Sequence, residues 1–372
     1  MNEADPRVSS LVTNEMESLV LHQGGLLRAL RAEAGPLVII GLALMVVTVA
    51  LSIRSLGMAS ALVLALALVP GVSLLGVAMW LSRADPKPLW LLIRCVLWGA
   101  GPAIFVAGVI NSFVSGLDGL SASTVVSAPI VEEAMKGLAL LWILRHHRAE
   151  IHGRLDAVVY AICVGLGFGM VENIQYYSEA LRNVSDVLAS TIIGRGIFSP
   201  FAHPVFTSAT AIGIAAAAHR KGIARIVLPL LGYLCAVSLH SLWNGTPGFE
   251  ALVIPVFIGI SIQVVQASRR HETAVRAAIE GAVTRGELPG EALDLVRRTT
   301  PRRFRDWAAA AVDPQHPLYE LWRRRHLAWL VTSPRAAAQL AEDDPAAAAT
   351  PAQVQAAACA LLRQRLQGAV AA

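Results

Sequence analysis

The sequence predicts an all-α fold: a polytopic transmembrane helical bundle of about eight spans with a helical C-terminal tail. Three observations predict it. Of 372 residues, 55% are hydrophobic and only 15% charged, with mean hydropathy +0.57, whereas a soluble chain carries about 25% charge. The apolar residues come in long runs rather than in amphipathic alternation. Those runs recur at roughly the 20 residues that a helix needs to cross a bilayer, and a helix is the element that satisfies its own backbone there.

Residues 1–36 form the first element, a polar, amphipathic segment expected on the cytoplasmic side. Its run Leu11–Leu30 suits the inner membrane surface or the underside of the bundle, and it lacks the short apolar core of a cleavable signal. The transmembrane domain is placed at 37–268. Its expected spans are Leu37–Ile53, Gly57–Leu81, Leu89–Ile110, Val125–Leu144, Leu155–Tyr176, Phe198–Ala218, Ile226–Trp243 and Ala251–Ala267. Residues 269–372 change character. With fifteen Arg against eleven Asp plus Glu, they supply about four of the five net positive charges. Ala274–Val283 and Glu291–Arg298 read as amphipathic helix, and Ala336–Ala372 as Ala-rich and loosely structured. The arginine clusters Arg302–Arg305 and Arg323–Arg325 read as a solvated or headgroup-facing surface; no nucleic-acid partner is expected.

Cysteine chemistry is excluded as an organising feature. Cys95, Cys163 and Cys235 lie in apolar runs and no CxxC pair occurs with Cys359, so they read as small packing residues. Loop charge sets the expected orientation. Eleven Lys and Arg precede or connect the spans on one side, from Arg7 to Arg225, against Arg54, Arg182 and Arg195 on the other. By the positive-inside rule both termini are cytoplasmic, in a multi-pass protein of the cell membrane.

The spans carry charge where charge is costly. Glu132 and Glu133 lie within the fourth span, Glu172 on the fifth, His203 on the sixth and His240 on the seventh. With that orientation and a rise of about 1.5 Å per residue, all four helices place these residues within roughly 4–12 Å of the outer end. Intramembrane ionisable residues are expensive unless they share a polar cavity, so a catalytic or transport site is expected. Lys136 stands at i,i+4 from Glu132 and i,i+3 from Glu133 and can neutralise one carboxylate. Asn244 shares a face with His240. Gly165 and Gly169 form a small-xxx-small pair leading to Glu172, and Pro200 and Pro204 loosen the helix around His203.

These residues carry a resemblance. Val131-Glu132-Glu133-Ala134-Met135-Lys136 resembles the EExxK motif of PrsW-type intramembrane proteases, within the superfamily of CAAX-processing and bacteriocin-processing endopeptidases. Gly167-Phe168-Gly169-Met170-Val171-Glu172-Asn173 resembles the second motif, Phe201-Ala202-His203-Pro204 the third, and His240-Ser241-Leu242-Trp243-Asn244 the fourth. Lys136, where the wider superfamily usually has Arg, favours the PrsW branch. The resemblance covers about residues 35–268 and implies a membrane-embedded endopeptidase. Its substrate would be a membrane-anchored protein such as an anti-sigma factor, cut near the extracytoplasmic face.

In that reading Glu133 or Glu132 is the general base on a water. His203 and His240 stabilise the oxyanion or orient the water, and Asn244 adds a donor. Two mechanisms share the residues. In one, Glu172, His203 and His240 bind zinc; in the other no metal takes part. The sequence lacks an HExxH helix, which favours the metal-free version. The competing class is a proton- or ion-coupled transporter using the same Glu/His cluster, against which no inverted repeat is visible. A scaffold whose tail recruits a partner leaves the polar cluster unexplained.

Overall fold

The computed structural model describes residues 35–81, 89–147, 154–183, 191–218, 222–286 and 350–368, with isolated positions elsewhere. The expected surface helix Leu11–Leu30 lies, all but Val12 and Thr13, outside the described residues, as do Glu291–Arg298 and both arginine clusters. Two compact units are formed: one from Ala34–Ser82 and Leu91–Val265, the other from Met1–Glu33, Arg83–Trp90 and Gln266–Ala372.

The described elements are helical. They are α1 (Gly35–Ile53), α2 (Ala59–Leu81), α3 (Leu89–Trp98), α4 (Ile104–Asp118), α5 (Ala128–His146), α6 (Arg154–Asn183), α7 (Ser199–Ala217), α8 (Ala224–Gly245), α9 (Glu250–Thr284) and α10 (Pro351–Gly368). Each expected span falls on a helix. Among the described residues, five helical runs are long and apolar enough to cross a membrane by themselves: Ala59–Met79, Leu91–Leu117, Arg154–Arg182, Thr191–Ala217 and Ala224–Gly245. Ile39–Ile53 is apolar but shorter. α5 carries Glu132, Glu133 and Lys136 in its middle, so its own apolarity is diluted by the residues it buries.

Several elements run further than the hydropathy suggested; the eighth, for one, continues past Ala267 to Thr284. The third span continues through α4 to Asp118, because Asn111 and Ser112 interrupt the apolar run without interrupting the helix. The fifth continues to Asn183. The next helical run begins at Thr191, ahead of the expected Phe198.

α6 is the central helix of its unit, with 89% of its apolar window buried, followed by α7 at 72%; α2 and α8 bury 22% and 11%. Glycines let α6 sit there. A Cβ on Gly165 would stand 2.6 Å from the backbone nitrogen of Pro204, and one on Gly167 2.0 Å from the Val96 carbonyl oxygen. Gly169 faces the His203 ring, which a Cβ would approach to 3.1 Å. The small residues before Glu172 thus hold α6 directly against the segment of α7 that carries His203. The outer faces of the unit show Ile39, Val46, Leu62, Val69, Leu230 and Leu234, as a surface solvated by lipid requires.

Three helices are interrupted by π-helical turns, at Gly99–Ala103, Ser123–Ser127 and Gly194–Phe198. Each has a proline in it or within two residues of its end: Pro102, Pro129 and Pro200. Proline lacks the N–H that an α-helical ladder needs, and a π turn is one way to shift that ladder.

In the second unit, α10 departs from the loose Ala-rich segment expected. Thr350 and Gln353 form a reciprocal cap: the Gln353 N–H donates to Thr350 Oγ1 at 3.3 Å and the Thr350 N–H to Gln353 Oε1 at 2.8 Å. With Pro351 in the first turn this starts the helix, and Gln355 Nε2 donates to the Val331 carbonyl at 3.0 Å.

Candidate active site

One turn of α5 supplies three charged side chains, Glu132, Glu133 and Lys136, all buried. Lys136 Nζ donates to Glu133 Oε1 at 2.9 Å and lies 3.7 Å from Glu132 Oε2. It also stands 2.9 Å from His203 Nδ1 on α7 and 3.9 Å from the centroid of the Phe168 ring. An ammonium is a pure donor, so His203 accepts at Nδ1 and carries its proton at Nε2. That Nε2 meets Glu172 Oε2 on α6 at 2.8 Å. His240 on α8 places Nδ1 3.1 Å from Glu133 Oε1 and Nε2 3.8 Å from Glu132 Oε2. The two imidazole rings meet edge to face with centroids 5.4 Å apart, and His240 stacks on Phe206 at 5.0 Å.

Six of the seven residues singled out in the sequence are thus joined in one network across four helices. Asn244 is not. Its Nδ2 donates at 2.9 Å to the Thr124 carbonyl in the π turn before α5, and no hydrogen bond links it to the Glu/His cluster.

The two α5 glutamates differ in what holds them. Both oxygens of Glu133 are engaged: Oε1 by Lys136 and His240, Oε2 by the Thr207 hydroxyl at 3.3 Å. Glu132 is held at Oε1 by Asn111 Nδ2 of α4, 3.4 Å away, while its Oε2 is buried with no hydrogen-bond partner. Asn111 is itself fixed, because Ser127 Oγ donates to its Oδ1 at 2.9 Å and Ser123 Oγ to its carbonyl at 2.8 Å.

Arg195 is a second residue that the sequence reading placed elsewhere, among the outer loop charges. It lies in the π turn before α7. Its guanidinium pairs with the same Glu172 oxygen that receives His203, and packs on the Tyr176 ring at 3.4 Å from the centroid. Its eight-residue spacing from His203, about two turns on one helix face, was the available signal. Asn111 had none beyond being a lone amide in an apolar run.

The residues also bear on a metal. Among the described residues, Glu132, His203 and His240 bring one ligand atom each within 4.8 Å of one another. Glu172 is not in that group; it is committed to Arg195 and His203 Nε2. Each histidine has a carboxylate on one ring nitrogen, which is the arrangement that fixes a ligating imidazole. Glu132 Oε2 has no hydrogen bond and lies 3.8 Å from His240 Nε2, but His203 Nδ1 accepts from Lys136 Nζ at 2.9 Å, so an ion held by these three atoms would have to displace that ammonium. Two imidazoles and one carboxylate fit zinc.

A buried, charge-paired Glu/His/Lys cluster assembled between apolar helices places the chain in a structural class: polytopic membrane proteins with a polar site inside the helix bundle. Residues 87–268 match the PrsW family intramembrane metalloprotease profile. The proteases PrsW of Oceanobacillus iheyensis and Geobacillus kaustophilus are each 28% identical, over 117 and 145 residues, or 31% and 37% of this chain and 53% and 59% of theirs. Protease PrsW of Clostridioides difficile is 30% identical over 137 residues, 34% of this chain and 55% of its own. No solved structure matches. The likeness to the PrsW family of intramembrane proteases thus extends over residues 87–268, just under half of the chain. The chain spans between half and three fifths of the length of these curated relatives.

Proposed function

We propose that the chain is an intramembrane endopeptidase that hydrolyses a peptide bond at the Glu132, Glu133, Lys136, His203 and His240 cluster. The observation that carries this is Glu132 Oε2, buried without a hydrogen bond 3.8 Å from His240 Nε2 and 3.7 Å from Lys136 Nζ. A transporter is not favoured, because the matched family and relatives are proteases.

Glu133 is the less suitable base, since Lys136, His240 and Thr207 occupy it; Glu132 Oε2 is the atom placed to accept a proton from water. Glu172 and Glu133 accept from His203 Nε2 and His240 Nδ1, which leaves His203 Nδ1 to Lys136 and turns His240 Nε2 toward Glu132. The developing oxyanion then falls to Lys136, the donor at the centre. If zinc is bound, Glu132, His203 and His240 hold it, and it supplies an acidified water and a polarised carbonyl. Glu132 Oε2 serves as ligand in that version and as base in the other. Elemental analysis separates them: about one metal per chain, lost in His203→Ala and His240→Ala, supports the first.

The remaining proposals concern the setting. Eight spans cross the membrane between residues 37 and 268, with both termini and the 269–372 tail cytoplasmic. The site then lies in the outer half of the bilayer. The substrate is a membrane-anchored protein cut near its extracytoplasmic face, an anti-sigma factor being the class to which the motif resemblance points. The purified chain in detergent, given a single-pass substrate, should yield two fragments, and Glu132→Gln should yield none. In cells, membrane proteomics of that variant against wild type should show one uncut protein accumulating; equal cleavage by both proteins sinks the assignment.

A further inference from the structure

We propose that Asn173 and Asn244 are clamps on two backbone carbonyls that prolines leave without a donor, and that they thereby position the π turns that aim the site. The register of the turns carries this. In an α-helix each carbonyl receives the N–H four residues on. In the turn Ser123–Ser127 the Ala128 N–H instead reaches the Ser123 carbonyl, five residues back. The next carbonyl in that register, Thr124, faces residue 129, which is proline and has no N–H. Asn244 Nδ2 takes that carbonyl at 2.9 Å.

The second turn repeats the arrangement with different residues. In Gly194–Phe198 the Ser199 N–H reaches the Gly194 carbonyl. The next carbonyl, Arg195, faces Pro200, and the amide nitrogen of buried Asn173 donates to it at 3.0 Å. A carbonyl takes only a donor, so both amides are oriented with nitrogen toward the backbone. Asn244 lies four residues beyond His240, and Asn173 directly after Glu172. Each clamp therefore ties a site-bearing helix to the turn that launches another: α8 to the start of α5 with Glu132, Glu133 and Lys136, and α6 to the turn carrying Arg195. Asn244 is a positioning residue in this scheme, and its amide nitrogen is turned from the cluster it was expected to serve.

The scheme makes a rescue testable, because an alanine at the proline restores the missing N–H. The full-length chain in detergent would be measured for cleavage of a single-pass substrate and for thermal unfolding. Asn244→Ala should lower kcat about tenfold with KM little changed, the loss typical of removing an orienting group, and should lower the melting temperature. Pro129→Ala should leave both near wild type. The double variant should recover both to within about twofold of Pro129→Ala, a non-additivity that a direct role in chemistry does not give. Asn173→Ala with Pro200→Ala should behave alike. A double variant as impaired as Asn244→Ala overturns the proposal and makes Asn244 a group that touches substrate. An inactive Pro129→Ala also overturns it, since the ring is held to act only through its missing N–H. The activity readout rests on the peptidase reading, and Glu132→Gln run in parallel tests that reading separately. Should that variant cleave normally, the melting temperatures still decide the clamps.

Discussion

Glu132 and Glu133 are neighbours in the chain whose surroundings divide the work between them. Glu133 is saturated by Lys136, His240 and Thr207, whereas Glu132 keeps one oxygen without a hydrogen bond. Glu132→Gln should therefore fold normally and lose at least about a hundredfold in rate, the scale of general acid–base catalysis. Glu133→Gln should lose activity and stability together, because it weakens a buried ion pair; breaking such a pair costs about 3–5 kcal/mol. Thermal unfolding beside the cleavage assay separates the two, and equal melting temperatures would refute the division. Lys136→Ala should be worse than Lys136→Arg, since arginine keeps the charge with altered geometry. Arg195→Ala should release Glu172 and with it the His203 ring. Added guanidinium should restore part of the cleavage rate to that variant and none to Glu132→Gln; absence of any rescue would reduce Arg195 to a packing role. The motif glutamates and histidines were legible because charge in an apolar run stands out. Arg195 was misread because a charge near a span end looks like a loop charge until its partner, Glu172, is seen across the helix interface. Glu172 enters the sequence reading as a ligand only in the zinc mechanism; depth along a helix follows from sequence, but rotation about its axis does not, and its oxygen is shared by Arg195 and His203 Nε2.

At the scale of the element, hydropathy located the helices and missed how three of them are built. The π turns leave no trace in apolar content; their sequence signal is a proline at the point where the ladder has to shift, as Pro129 and Pro200 show. Helix approach was better signalled. Gly165 and Gly169 were expected to allow a close crossing, and they face Pro204 and His203. Gly165→Ala should push α7 away from α6, because its Cβ would lie 2.6 Å from a backbone nitrogen that cannot move independently of the helix. The expected result is a lower melting temperature by several degrees and a loss of cleavage, since His203 sits one residue from the clash. Gly116→Ala, where a Cβ meets nothing within 4 Å, should be unaffected or slightly stabilised through helix propensity. Equal behaviour of the two variants would show that the α6–α7 crossing has slack.

For the whole molecule the open quantity is direction across the membrane, since the depth of the site depends on it. The charge count reads eleven against three in sequence, and pairing Arg195 with Glu172 inside the bundle removes one from the smaller side, leaving Arg54 and Arg182. A partly buried arginine paired with Glu172 is not a free loop charge in the sense of the positive-inside rule, so this strengthens the proposed orientation. The segment 184–190 between α6 and the helical run beginning at Thr191 should then be extracytoplasmic, and His147 at the end of α5 cytoplasmic. Single cysteines would be placed at Ser185 and at His147 in a chain with Cys95, Cys163, Cys235 and Cys359 replaced, the last two being less buried than the others. In intact cells an impermeant thiol reagent should label the Ser185→Cys protein and leave His147→Cys untouched until the membrane is opened. With that pattern Glu172, His203 and His240 open toward the outside, and the substrate is cut in the outer half of its span. Labelling of His147→Cys alone would invert the bundle, carry the same cluster to the cytoplasmic half, and exclude an extracytoplasmic cut.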